Sequence, residues 1–277
     1  MRVIPQPFRV PRLLLAASIL FFGAAYFTVC FPDTPGAGVG SFVSTLLIAL
    51  PSFVALWRYL GPKGATLALL SLSALGFAVE TTGVTTGFPY GPFYYGDSLG
   101  PKVANLVPYL LPLSWVPLVL GAVAATAPRR TRESRKTLLP ERSVSWVLSA
   151  AVLLALVDGV LDPGAAALGF WVWPEGGIYY GVPITNYLGW LFSSFLAATL
   201  LVALGRRRWG SVPPPPGLLD SAFIAVAFWT GVAVFSGLPF PAMLGAALYL
   251  FLLHHRSRLA AAAESRYKGG ETARKEG

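Results

Sequence analysis

The sequence has few charged residues and almost no cysteine or histidine. Only 12% of its 277 residues are charged, whereas about 25% is usual for a soluble domain. The single cysteine, Cys30, excludes an intrachain disulfide and a cysteine-rich metal or cluster site. The two histidines, His254 and His255, are adjacent, and neighbouring helical residues point about 100° apart, which disfavours a shared metal ion. These shortages argue against a soluble enzyme and against a metal centre.

What the chain has instead is apolar sequence. Hydrophobic residues make up 55% of it and the mean hydropathy is +0.63, which is too much apolar surface for one soluble core. Crossing a bilayer as a helix takes about 20 mostly apolar residues. The segments that qualify are residues 13–31, 42–60, 65–82, 103–127, 144–161, 187–204, 218–235 and 238–253. The sequence therefore predicts an all-α, polytopic membrane bundle of about eight transmembrane helices. Residues 1–255 are expected to form that single domain and residues 256–277 a flexible, basic cytoplasmic tail.

The distribution of basic residues supports this count. A net charge of +9 would suggest a nucleic-acid partner in a soluble protein, but here the basic residues cluster in short loops between apolar segments. With the N-terminus inside, 20 of the 21 lysines and arginines fall on one side of the membrane, and only Lys102 falls outside. The positive-inside rule therefore predicts a multi-pass protein of the cell membrane with both termini in the cytoplasm and no nucleic-acid partner. The first segment is longer than the apolar part of a signal peptide, so we expect it to be retained.

Acidic residues lie towards the opposite, outer side. Glu80 ends the third predicted helix and Asp158 lies near the end of the fifth, at a similar depth. Ionisable groups at that depth are unfavourable and often functional, although solvation at the interface is the alternative. Asp158 and Asp162 are four residues apart, which places them on one helix face, where mutual repulsion favours a proton on one of them and so a general acid. The pattern Asp162-Pro163 also favours a simpler role for Asp162, as the N-cap of a following helix.

Two long outer connections, residues 83–101 and 162–186, are rich in glycine, proline and aromatic residues. An interfacial belt of tyrosine and tryptophan would explain the depth of the aromatics, but not their concentration in two outer loops. Loops of this composition are expected to fold back into a cavity, as re-entrant segments do, and a cavity with aromatic walls and carboxylates is a candidate binding site. The expected substrate-binding residues are Tyr94, Tyr95, Asn105, Trp171, Trp173, Tyr179, Tyr180, Asn186 and Trp190.

These motifs resemble a known family over residues 80–190. The first set is Glu80, then Thr86-Gly87-Phe88-Pro89-Tyr90-Gly91-Pro92-Phe93-Tyr94-Tyr95, Leu99-Gly100-Pro101 and Pro112-Leu113-Ser114-Trp115. The second set is Asp158, Asp162-Pro163, Trp171-Val172-Trp173, Gly177-Ile178-Tyr179-Tyr180-Gly181-Val182-Pro183, Asn186 and Gly189-Trp190. Together they resemble the membrane carotenoid hydratases, the group that includes bisanhydrobacterioruberin hydratase and γ-carotene 1′,2′-hydratase.

The resemblance implies an enzyme that adds water to the terminal 1,2 double bond of an acyclic carotenoid end, giving a tertiary alcohol without a redox cofactor or a metal. Asp158 is then expected to donate the proton, and Glu80 or Asp162 to act as the base that positions water. The aromatic residues would stabilise the carbocation by cation–π attraction. The implied partners are a long polyene substrate, the lipid bilayer and other membrane enzymes of carotenoid synthesis.

Other functions remain open from the sequence alone. A carotenoid-binding or scaffold protein would use the same aromatic cavity without needing the acids. An end-group cyclase or a double-bond isomerase would share the protonation step and differ only in the fate of the cation. A transporter is disfavoured because no charged residue lies near the middle of a predicted helix, where coupling-ion sites usually lie.

Overall fold

A computed structural model describes residues 11–128 and 140–275. In these residues the chain forms eight α-helices and four two-residue strands. The helices are α1 (Arg12–Cys30), α2 (Ala37–Thr86), α3 (Leu111–Ala125), α4 (Pro140–Ala167), α5 (Ile184–Leu204), α6 (Arg206–Ser211), α7 (Asp220–Phe235) and α8 (Pro239–Lys275). The strands are β1 (Tyr94–Tyr95), β2 (Lys102–Val103), β3 (Val107–Pro108) and β4 (Trp171–Val172).

The helices have the lengths and composition of membrane spans. Five helical segments of the described chain are long and apolar enough to cross a bilayer: Arg12–Cys30, Ala37–Thr86, Ser143–Ala167, Ile184–Leu204 and Pro216–Phe235. The 50-residue α2 contains two of the predicted spans, because Gly61 has a φ of 76° and breaks the helix just before Pro62. α3 is apolar but has only 15 residues. The predicted all-α membrane bundle is confirmed.

The predicted span 103–127 was wrong at its start. Lys102–Val103 and Val107–Pro108 form an antiparallel hairpin instead, and α3 begins only at Leu111. At the turn of this hairpin Ala104 and Asn105 both have positive φ values, of 52° and 58°, which a helix does not allow. Apolar composition alone does not distinguish such a hairpin from the first turns of a helix.

The last two helices form the tight hairpin that the sequence predicted. α7 ends at Phe235 and α8 begins at Pro239, so only three residues connect them. α8 continues beyond the predicted span 238–253 as helix up to Lys275. The division into a bundle domain and a flexible tail stays a prediction.

The prediction that Asp162 caps a new helix was also wrong, because α4 runs through Asp162 and Pro163 without a break. Proline has no N–H to donate to the carbonyl four residues earlier, which here belongs to Gly159. The hydroxyl of Tyr179 donates to that carbonyl oxygen instead, at 3.1 Å. A contact from a distant loop therefore supplies the bond that the proline lacks, and α4 carries Asp158 and Asp162 on one continuous face.

α7 lies at the centre of the bundle and contacts α1, α2, α3, α4 and α8. Hydrogen bonds of buried serines join α2 to α7 and to the turn before α7: Ser221 Oγ donates to the Ala49 carbonyl at 3.1 Å, and Ser52 Oγ donates to the Leu218 carbonyl at 2.9 Å. Bonds of this kind between membrane helices contribute about 0.6 kcal/mol each. They hold the part of α2 before the break at Gly61 against the start of α7.

At one end of the bundle α2 and α4 finish and α3 and α5 begin, and we call this the loop end. Two loops, residues 87–110 and 168–183, cover it. They are joined because β1 pairs with β4 in an antiparallel arrangement, with Tyr94 opposite Val172 and Tyr95 opposite Trp171. The Gly96 N–H extends this pairing by donating to the Phe170 carbonyl at 2.8 Å. The loops are thus ordered parts of the fold that close the loop end.

Candidate active site

Two carboxyl groups on α4 meet one amide from α5. Asn186 lies in the first turn of α5, and its Nδ2 donates to Asp158 Oδ2 at 3.0 Å and also to Asp162 Oδ2. All three side chains are buried, and Asp158 is 0% exposed. Asp158 Oδ1 has no hydrogen-bond partner among the described residues. The amide therefore holds the two carboxyl groups side by side in a place that bulk water does not reach.

A third carboxyl group comes from α2. Glu80 is buried near the end of that helix and accepts a hydrogen bond at Oε2 from the Tyr95 hydroxyl, at 2.7 Å. The Tyr90 hydroxyl also faces Glu80 and lies near Ser193 of α5. Burial, and after it the charge of Glu80, raises the pKa of both tyrosine hydroxyls well above the ordinary value. The two hydroxyls therefore keep their protons and act as hydrogen-bond donors to Glu80.

Two glycines hold the Tyr90 ring in place. A Cβ atom at Gly83 of α2 would lie 2.8 Å from Tyr90 Cδ2, and one at Gly189 of α5 would lie 2.5 Å from Tyr90 Cδ1. Non-bonded carbon atoms normally stay about 3.5–4.0 Å apart, so any larger residue would displace the ring. The loop residue Tyr90 thus fits between two helices, and its hydroxyl reaches Glu80.

The acids lie along a cavity of about 1190 Å³ at the loop end. Its polar wall contains Glu80, Asp162 and Asn186, whereas Asp158 lies behind that wall and reaches it through its bond to Asn186. Much of the remaining wall is aromatic: Phe27, Phe31, Tyr90, Phe93, Tyr95, Trp115, Phe170, Trp171, Trp173, Trp190, Phe228 and Trp229. The cavity also extends along the first turns of α2, as far as Ile48. It is a largely apolar space whose wall carries Glu80 and Asp162 and, between α1 and α2, the exposed Asp33.

A second cavity, of about 1120 Å³, lies between α4 and α8. Three hydroxyl side chains, those of Thr126, Ser145 and Ser149, are the polar part of its wall, and apolar side chains form the rest. No acidic or basic side chain of the described chain lines it. The cavity at the loop end is the one that combines a large apolar space with proton-transfer groups, which makes it the candidate active site.

Comparison with known proteins assigns the chain to a family. The family model described as "Carotenoid biosynthesis protein" matches residues 38–252. The bisanhydrobacterioruberin hydratase of Haloarcula japonica is 38% identical over 214 residues, which cover 74% of this chain and 69% of that protein. This chain belongs to the carotenoid biosynthesis protein family. The resemblance seen in the sequence motifs is thereby confirmed. No solved structure matches the chain.

The part of the chain that matches the carotenoid biosynthesis family contains all the candidate site residues, and the structure brings most of them together. Eight of the twelve predicted residues form the cavity wall or bond to it: Glu80, Tyr95, Asp158, Asp162, Trp171, Trp173, Asn186 and Trp190. Within the described residues no group of three or more histidine, cysteine, aspartate or glutamate side chains is arranged as metal ligands.

The other four predicted residues lie away from the cavity. Tyr94 is 51% exposed, because neighbouring residues of a strand point to opposite faces and Tyr95 takes the inner one. Asn105 is exposed in the turn between β2 and β3. Tyr179 donates to the Gly159 carbonyl, and the Tyr180 hydroxyl accepts a weak bond from the Phe240 N–H at 3.4 Å. These contacts are structural, and they hold the second loop against α4 and α8.

Several residues of the cavity were not assigned a role from the sequence. Tyr90 and Phe93 belong to the quoted motif, but no sequence pattern separates them from Tyr94. Phe27 of α1, and Phe228 and Trp229 of α7, carry no signal that could have found them, because they look like ordinary apolar residues of membrane helices. Their position in the cavity is a consequence of helix packing.

Proposed function

We propose that this protein hydrates the terminal carbon–carbon double bond of an acyclic carotenoid end group to a tertiary alcohol, without a metal or a redox cofactor. The observation that carries the proposal is the cavity: a long aromatic space meets three buried carboxyl groups. The activity named for the relative, a hydratase, supports the same reaction class. Adding water across a double bond involves no net oxidation or reduction. The reaction therefore needs an acid, a base and water.

The proton comes from the pair of carboxyl groups on α4. Asp158 and Asp162 share the Asn186 amide in a buried place, and a proton on the pair removes the repulsion between two buried negative charges. From the sequence, Asp158 was predicted to be the proton donor. Asp158 holds the proton behind the wall, and Asp162, which lies on the wall, passes it to the terminal double bond. The proton forms a C–H bond with the less substituted carbon and leaves a tertiary cation next to it.

The aromatic wall stabilises that cation. Tryptophan faces attract cations most strongly among the aromatic side chains, by about 2 kcal/mol or more when water is excluded. Trp171, Trp173 and Trp190 lie in the same cavity as Asp162 and Glu80. An apolar wall also keeps bulk water away from the cation until one water molecule attacks it.

Glu80 is the base. It lies on the cavity wall, accepts a tyrosine hydrogen bond at 2.7 Å and has a second tyrosine hydroxyl facing it, so its carboxylate is held in place to accept a proton from water. Water attacks the tertiary carbon, a C–O bond forms, and one water proton goes to Glu80. Transfer of that proton back to the α4 pair completes the cycle, and the net change is the addition of one water molecule.

Pigment analysis tests this function. The protein is expressed in cells that make only acyclic carotenoids, and the pigments are analysed by mass after growth in heavy-oxygen water. Hydration adds one labelled water per reacted end. An unaltered pigment that co-purifies with the protein would favour a binding role, and a new pigment of unchanged mass would favour cyclisation or isomerisation.

Variants of the acids sharpen the test. Asp158→Asn, Asp162→Asn and Glu80→Gln keep the side-chain shapes and should each abolish or strongly reduce alcohol formation while the protein still folds. Glu175→Gln is the matched control, because Glu175 is an exposed acid of the same loop end that does not line the cavity. Full activity of Asp158→Asn would refute the assignment of the proton source.

The proposed location is the cell membrane, with both termini in the cytoplasm and the loop end outside. The sorting of basic residues supports this orientation. Fusions to a reporter that is active only in the cytoplasm would test it. The reporter should give signal at the C-terminus and no signal in the loop of residues 168–183. Association with other enzymes of carotenoid synthesis stays a prediction.

A further inference from the structure

The active-site cavity extends well beyond the acids. It reaches α1 and the first turns of α2, where Phe27 and Thr28 of α1 and Ser41 of α2 line it. We call this part the α1–α2 arm. Its wall on α2 runs from Ala37 to Ile48, which is about 16 Å along the helix axis. Protonation of a terminal double bond needs only the part of the cavity beside the acids, so the arm is space that this step leaves unused.

The arm is open because α1 packs on α7 and not on α2. A Cβ atom at Gly231 of α7 would lie 2.5 Å from the Phe22 carbonyl oxygen and 2.9 Å from Ala25 Cβ, so the backbones of α1 and α7 are close together. Within the described part of the chain, α1 and α2 have at most slight contact. On the α1 side of the arm Phe27 is 65% exposed, and on the α2 side Ser41 is also exposed. The arm therefore has an opening between α1 and α2.

This opening lies at the depth of the bilayer. Its two edges belong to Arg12–Cys30 and Ala37–Thr86, which both have the length and composition of membrane spans. Small residues on a membrane helix usually let a second helix pack closely, and Gly38, Ser41 and Thr45 give α2 such a face. Because α1 is held on α7, that face borders an open slot instead of another helix. A molecule that uses this slot comes from the lipid and is itself apolar.

A long polyene meets these requirements. A conjugated chain is stiff, so it cannot coil inside a cavity, and a carotenoid is longer than the arm. With its terminal double bond beside Asp162 and Glu80, the rest of the molecule must leave the protein through an opening to the lipid. We propose that the substrate enters sideways between α1 and α2, and that its chain lies in the α1–α2 arm during the reaction with the far end in the bilayer. This inference rests on the proposed function.

Cysteine labelling tests whether the polyene occupies the arm. Thr28→Cys and Ser41→Cys are made separately in a Cys30→Ser, Asp162→Asn protein, which has no other thiol and should hold substrate without converting it. Val39→Cys is the matched control, because Val39 is 69% exposed and lies on the opposite face of α2. Each protein is purified from cells that make lycopene and from cells without carotenoids, and its reaction with N-ethylmaleimide is timed. At about 90% occupancy by lycopene, labelling at positions 28 and 41 should slow about tenfold, since only empty protein reacts, and labelling at position 39 should not change.

A bulky substitution gives a second measurement, which needs no isolated complex. Ser41→Phe should lower kcat/KM for lycopene hydration in membranes by about tenfold or more, because the new ring fills space that the substrate needs. Val39→Phe adds a similar ring on the opposite face and should leave kcat/KM unchanged.

Three results would overturn the inference: equal labelling with and without bound lycopene at both arm positions, equal slowing at position 39, or an unchanged kcat/KM in Ser41→Phe. Absence of alcohol from the unchanged protein would instead refute the proposed function, and the labelling would still show where a bound polyene lies.

Discussion

Replacing Gly189 by alanine should damage the active site while leaving the bundle folded. The new methyl group would lie 2.5 Å from Tyr90 Cδ1 and 2.8 Å from the Pro89 carbonyl oxygen, about 1 Å closer than carbon contacts allow. Tyr90 has little room to withdraw in the opposite direction, because Gly83 lies close to the Cδ2 edge of the ring. The ring must therefore turn out of its place, and its hydroxyl moves away from Glu80.

The structure gives the size of both effects. Overpacking costs about 1–3 kcal/mol, and alanine in a helix is favoured over glycine by about 1 kcal/mol, so the net loss of stability should be about 0–2 kcal/mol. A lost hydrogen bond to the charged Glu80 costs about 1.5–3 kcal/mol, which corresponds to a rate lower by roughly 10- to 100-fold. Activity should therefore fall much more than stability.

The assay measures the initial rate of alcohol formation in membranes and the thermal unfolding of the purified protein in detergent. Gly23→Ala is the control. Gly23 is also in a helix, and no atom lies within 4 Å of the added Cβ. It should leave the rate unchanged and raise stability slightly, as expected for alanine in a helix. A Gly189→Ala protein with an unchanged rate would refute the conclusion that Tyr90 holds Glu80.

Two further predictions follow from contacts at the two ends of the bundle. Tyr95→Phe should lower the hydration rate about tenfold, because it removes the 2.7 Å hydrogen bond to Glu80. Tyr94→Phe is the control, since Tyr94 lies on the outer face of β1, and it should have the rate of the unchanged protein. Equal rates in the two variants would contradict the proposed role of the Tyr95–Glu80 bond. Arg256→Met should destabilise the protein by about 3 kcal/mol, because it leaves Asp220 without its 2.6 Å ion pair in a largely buried place. Thermal unfolding in detergent measures this loss, and the rate per folded molecule should not change because the pair lies far from the loop end.

The sequence predicted the helices because crossing a bilayer imposes a length and a composition. It also found the acids, because carboxyl groups at that depth are rare. What it could not supply were contacts between distant segments. The pairing of Tyr95 with Trp171 joins two loops that are 76 positions apart, and no local pattern specifies it. Without that pairing, Tyr94 and Tyr95 are indistinguishable, although one bonds the Glu80 carboxylate and the other faces outward.

The error at Asp162 has the same origin. Asp-Pro is locally a good helix start. A proline also normally ends the preceding helix, because it leaves the carbonyl four residues earlier without a hydrogen bond. In this fold the Tyr179 hydroxyl satisfies that carbonyl, so the helix continues. Tyr179 was predicted to bind substrate because it is aromatic and lies in an unusual loop. The same hydrogen bond keeps Asp162 in α4 and holds Tyr179 at the Gly159 carbonyl, outside the cavity wall.

The structure also bears on which reaction follows protonation. The Asp158–Asp162 pair and the aromatic wall would serve a cyclase or an isomerase as well as a hydratase, because all three begin by protonating a polyene end. Each of the three also ends with a proton passing to a base, so water capture differs only in requiring a water molecule held beside the cation. A base such as Glu80 therefore serves all three reactions, and the groups that hold water beside the cation are what would separate a hydratase from the other two. The choice of product should therefore depend on residues that leave protonation intact, and a variant that loses the held water should form isomerised or cyclised pigment.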